Sequence, residues 1–187
     1  MGNAYARTQA YSCLALAHVS HEEWDEAVEA GEQSLAISRE RRTGLQFLPW
    51  TMATLGEAYL ARGDGSRART TAEDAVALAR ERHLRLLEPI TLLSLARVLL
   101  ASEGARARAE VKASLSRALV LAKEMEARSE EPLVHVELAE LARAIGDDAG
   151  REEELREAHR LFAEIGADRH KAALARELST SPTVRPS

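Results

Sequence analysis

Aromatic residues are scarce in this chain, at 4% of 187 residues, although hydrophobic residues make up 45%. Most of the apolar content is Ala, Leu and Val. That excludes a β-sandwich, which draws on alternating Val, Ile, Tyr and Thr; helices touching through alanine need no large core side chains. Cysteine is almost absent too. With Cys13 alone, no intramolecular disulfide can form, and a reducing, cytoplasmic setting is expected. Lysine is confined to Lys112, Lys123 and Lys171, and the formal charge is −5 with a pI near 5.7. That balance gives no electrostatic case for nucleic acid or an anionic membrane. No apolar run reaches the about 20 residues needed to span a bilayer, and no signal-peptide pattern opens the sequence. The expected class is all-α.

What is present is a repeated layout. The stretch LGEAYLARGDGSRARTTAEDAVALA, Leu55 to Ala79, combines a small residue, an aromatic, a Gly-Asp break and a ladder of alanines. The same order returns upstream around Leu14-Ala15 and downstream around Leu95-Ala96 and Leu138-Ala139, with the four leucines spaced 41, 40 and 43 residues apart. Pro49, Pro89 and Pro132 each stand six residues before the corresponding leucine. Proline is tolerated in the first helical turn, where the backbone N–H has no intrahelical partner. Each therefore marks the start of a unit's first helix. Gly63-Asp64 and Gly146-Asp147 read as turns, with glycine in the left-handed conformation and aspartate capping the next helix. Gly56 reads as a point of close helix approach whose packing offsets the about 1 kcal/mol cost of a mid-helix glycine. The third unit carries about three extra residues in its turn.

This order of small, aromatic and small residues in helix pairs resembles the tetratricopeptide repeat, most closely at Leu55, Gly56, Tyr59, Gly63-Asp64, Ala68 and Ala75. Trp24-Asp25-Glu26-Ala27 is similar to the family's aromatic–acidic turn. Gly31, Ser34 and Arg151 depart from its pattern. The period exceeds the family's usual length of about 34 residues, as in the longer repeats of kinesin light chains and bacterial signalling ATPases. The texture also resembles the C-terminal repeat regions of bacterial multidomain nucleotide cyclases and STAND-type regulators. The resemblance implies a right-handed α-solenoid over residues 1–179. Its hairpins fall near 4–42, 46–84, 88–128 and 130–165, with a capping helix at 168–179 and a disordered tail at 180–187. The nine helices are expected near 4–20, 23–42, 46–62, 65–84, 88–102, 106–128, 130–145, 148–165 and 168–179.

No catalytic constellation emerges, and no cofactor is implied. His18 and His21 have ligand-like spacing but no third ligand. HEEW lacks the second histidine of a zincin helix, and GDGSRART lacks the lysine and the preceding strand of a phosphate loop. Cys13 has no base in its unit and reads as core or inner-wall packing. If packing follows the family, the concave wall presents Gln9, Ser12, Leu16 and Val19; Trp50, Ala53, Glu57 and Leu60; Ile90, Leu93, Arg97 and Leu100; and Leu133, Val136, Glu140 and Arg143. The lysines and asparagines with which chaperone-binding members hold a terminal carboxylate are missing from it. The wall is apolar in patches and suits a helix or extended segment with its own apolar anchors. Trp50 is either that segment's principal contact or packed beneath the preceding hairpin.

The expected function is a non-catalytic protein-interaction scaffold in a bacterial signalling or regulatory protein, its partner a protein segment and possibly the parent's own upstream domain. The competing expectation is a sensor of a peptide or small effector. Nothing precedes the first hairpin to cover Tyr5, Ala6, Ala10, Leu14 and Ala17. The chain is therefore expected to belong to a longer protein, or to close this face as a homodimer.

Overall fold

A computed structural model describes residues 3–180; the expected tail beyond Thr180 lies outside the described residues. Among the described residues there are nine α-helices and no strand. They are α1 (Ala4–Ser20), α2 (Trp24–Arg41), α3 (Leu48–Ala61), α4 (Gly65–Glu81), α5 (Glu88–Glu103), α6 (Arg108–Glu124), α7 (Glu131–Ile145), α8 (Asp148–Glu164) and α9 (Asp168–Thr180). Pro49, Pro89 and Pro132 sit in the first turns of α3, α5 and α7, where a missing N–H costs nothing. Gly63 and Gly146 adopt φ of +82° and +76°. Immediately after them, Asp64 accepts the Arg67 N–H at 3.0 Å and Asp147 accepts the Gly150 N–H at 2.9 Å. The extra residues after α5 form a 3-10 turn, Gly104–Ala107. Several second helices end sooner than expected: α4 stops at Glu81 and α6 at Glu124, because His83 and Glu126 take positive φ and break the ladder.

Consecutive helices pack as pairs, α1 with α2, α3 with α4, α5 with α6 and α7 with α8, and each pair packs on the next. The odd-numbered helices α1, α3, α5 and α7 also touch in sequence, and α9 lies against α8. The core is correspondingly serial. One apolar cluster joins α2, α3, α4 and part of α5, a second joins α4 to α7, and a third closes α7, α8 and α9 around Phe162 and Leu174. Alanines set the spacing: Ala27, Ala68, Ala72, Ala75, Ala118 and Ala158 are all fully buried.

Gly56 does lie where α4 approaches α3, but the approach leaves room for a methyl group. A methyl group built on Gly56 would lie 3.4 Å from both the Ala68 carbonyl oxygen and the Ala72 Cβ, ordinary contact distances. At Gly31 the same methyl would fall 2.6 Å from Leu55 Cδ2 and 2.7 Å from its Cγ. Gly31 in α2 is thus the socket for Leu55 of α3, and Leu55 is only 1% exposed. Leu14, at the matching place in α1, is 43% exposed, with no other helix among the described residues covering it.

Polar ties cross the same junctions. Tyr59 (α3) donates to Glu32 (α2) at 2.8 Å, and Arg67 (α4) lies over the Tyr59 ring and also holds Glu32. The buried Glu88 at the start of α5 accepts Arg80 (α4) at 3.0 Å and Arg117 (α6) at 3.3 Å. Burial pushes the Glu88 carboxyl up, but the two guanidiniums outweigh it and hold it below its ordinary value.

Candidate functional site

Because the odd-numbered helices adjoin in a row, their outward faces make one surface. A groove of about 240 Å³ opens there. Leu16 and Val19 come from α1, Trp50, Ala53, Thr54 and Glu57 from α3, Ile90, Leu93, Ser94 and Arg97 from α5, and Leu133 from α7, with Glu130 just before α7. Nine of the residues expected on the wall therefore converge: Leu16, Val19, Trp50, Ala53, Glu57, Ile90, Leu93, Arg97 and Leu133. Trp50 is half-buried and faces this space.

The remaining expected residues are placed elsewhere. Gln9 is exposed on α1 outside the groove. Ser12 is buried, at 1% exposure, and is not available to a partner. Its Oγ lies 2.8 Å from Ser34 Oγ and 2.7 Å from Thr51 Oγ1, and Ser12 and Ser34 both reach the Thr8 carbonyl at 3.0 Å. Hydroxyls can fill this contact between α1, α2 and α3 because they satisfy one another. Leu60 and Leu100 are half-buried against the first and second apolar clusters. Glu140 and Arg143 pair with each other at 2.6 Å, one turn apart on α7. Cys13, expected in the core or on the inner wall, is instead exposed, on a side of α1 that no other helix among the described residues covers.

One charged residue, Glu137, was missed. Arg97 donates through Nε to Glu137 at 2.6 Å and through an Nη to Glu57 at 3.2 Å, so a single guanidinium links α3, α5 and α7. Aligning units on their leucines pairs Arg97 with Glu140 and leaves Glu137 one turn away. The available signal is the 40-residue interval from Glu57 to Arg97, which recurs from Arg97 to Glu137. Burial opposes the charge on Arg97, but the two carboxylates prevail and raise its pKa. For Glu137 burial dominates, and its carboxyl stays above the ordinary value although Arg97 pulls it down.

The histidines lie apart from the groove. His18 meets Glu23 at 2.5 Å and His135 meets Glu154 at 2.6 Å. Among the described residues no cluster of three or more His, Cys, Asp or Glu side chains could hold a metal ion, and no helix is long and apolar enough to cross a membrane. Comparison with known proteins finds no family model that matches the chain and no curated protein that matches it.

Proposed function

We propose that the chain is a non-catalytic docking module, a right-handed solenoid of four tetratricopeptide-like hairpins that organises a protein segment along its concave face. The observation that carries this reading is the groove itself: apolar side chains from four successive first helices face one opening large enough for a bulky anchor. The serial contacts between odd-numbered helices add support, since they are what a stacked array of hairpins requires. The segment is an amphipathic helix or an extended strand with its own apolar anchor, belonging to a partner or to the parent protein's upstream region. In such a protein the module serves signalling or regulation in the cytoplasm.

Trp50 provides the test. In a Trp24→Phe background it is the remaining tryptophan, and a segment selected from a random peptide library on the whole protein is expected to shift its emission to the blue as water leaves the indole. Trp50→Ala is expected to weaken that segment by about tenfold or more, as buried tryptophans do at interfaces. Selected segments that leave the emission unchanged and bind Trp50→Ala as tightly would rule the groove out as the docking site.

A further inference from the structure

Resting on that docking reading, we propose that the segment the groove accepts is cationic as well as apolar, placing a lysine or arginine beside the anchor that meets Trp50, Ile90 and Leu133. The charged residues on the groove are Glu57, Arg97 and Glu130. Arg97 is already committed on both sides, its Nε to Glu137 and an Nη to Glu57. Glu57 and Glu130 line the groove and Glu137 lies just outside its lining, so three carboxylates are set against the single guanidinium of Arg97. Glu130 accepts the Ser129 hydroxyl at 2.6 Å and enters no ion pair among the described residues. None of the three lysines of the chain lines the groove. Glu140, the next carboxylate along α7, is neutralised by Arg143 and leaves this balance unchanged.

Apolar walls concentrate the field of such an uncompensated pair of charges, so the groove attracts cations and repels a terminal or side-chain carboxylate. Glu137 registers the same excess. Burial raises its carboxyl most, and Glu57 raises it further against the pull of Arg97. The apolar side chains supply affinity without choosing among hydrophobic segments; the surplus of negative charge supplies the choice.

A random peptide library selected on the whole protein at low salt tests this, read alongside a Glu57→Gln/Glu130→Gln variant. The amide that Glu57→Gln introduces keeps an oxygen for Arg97, and the variant's thermal melt should match that of the parent. Enriched segments should combine a bulky apolar residue with Lys or Arg. A synthetic representative should lose about fivefold or more in affinity on the double variant, the effect of two partly exposed pairs, and should weaken as salt rises. Enrichment of neutral or acidic segments, or equal binding to the double variant, would overturn the inference and leave docking in the groove standing. Failure of any segment to enrich over a Trp50→Ala counter-selection would overturn the docking reading with it.

Discussion

Adding one methyl group to either of two helical glycines should have opposite effects. Gly56→Ala recovers the helix propensity that glycine forfeits, about 1 kcal/mol, and its Cβ meets neighbours at 3.4 Å, a distance it can occupy without displacing them. In a domain of this size about 1 kcal/mol corresponds to a rise in Tm of about 2–4 °C. Gly31→Ala gains the same propensity but drives a carbon to within 2.6 Å of Leu55 Cδ2 and 2.7 Å of its Cγ. Leu55 is fully enclosed and its Cγ cannot rotate away, so α2 and α3 must separate or Leu55 must leave its rotamer. Overpacking of this kind costs about 1–3 kcal/mol. The net expectation is a loss of about 1 kcal/mol and a Tm lower by about 2–4 °C. A double-mutant cycle sharpens the point. Leu55→Ala alone should cost about 2–5 kcal/mol, and in that background Gly31→Ala should become stabilising, because the methyl then enters vacated space. Thermal melts followed by circular dichroism read all four proteins. If Gly31→Ala raises Tm as Gly56→Ala does, the socket account of α2 and α3 is wrong.

Leu14→Ala should change stability by no more than about 0.5 kcal/mol, in contrast to Leu55→Ala, because burial and not sequence register decides the cost; urea titration compares them. Ser12→Ala should destabilise by about 1 kcal/mol, the low end for a buried hydrogen bond, since Ser34 and Thr51 each keep a carbonyl acceptor. The contribution of Glu88 is present above the ordinary carboxyl value of 4.5 and is lost as pH falls through its lower folded value. The Tm difference between the protein and Glu88→Gln should accordingly shrink on acidification below that point. Arg97→Gln should destabilise most near neutral pH, where Glu137 is left charged and buried. That penalty should fade as pH drops through the raised Glu137 value, because the folded state then takes up the proton.

The helices and their order were legible because three cues coincided: leucines near forty residues apart, prolines in step with them, and Gly-Asp breaks that serve as turn and cap. The groove was half legible. Spacing along a helix identifies which side chains share a face, and that was enough to gather nine groove residues, among them Leu16, Trp50, Glu57, Ile90, Arg97 and Leu133. It does not reveal how deeply a neighbour covers that face, so Ser12 was placed on the wall when α2 and α3 enclose it. The Gly31 socket was hidden for a related reason. A glycine's need for space depends on the side chain opposite, which belongs to another helix and shows no periodic relation to it. Glu137 was missed because Arg97 is long enough to reach past its register partner to the adjacent turn.

Arg97 also has a mechanical consequence. Its one rigid fork grips a helix on either side, so drawing α3 or α7 away from α5 strains the bond to Glu57 or to Glu137. The planar guanidinium thus ties α3 and α7 to α5 at one point. An incoming cation competing for either carboxylate would release one end of that tie and leave α5 held to a single neighbour by this residue.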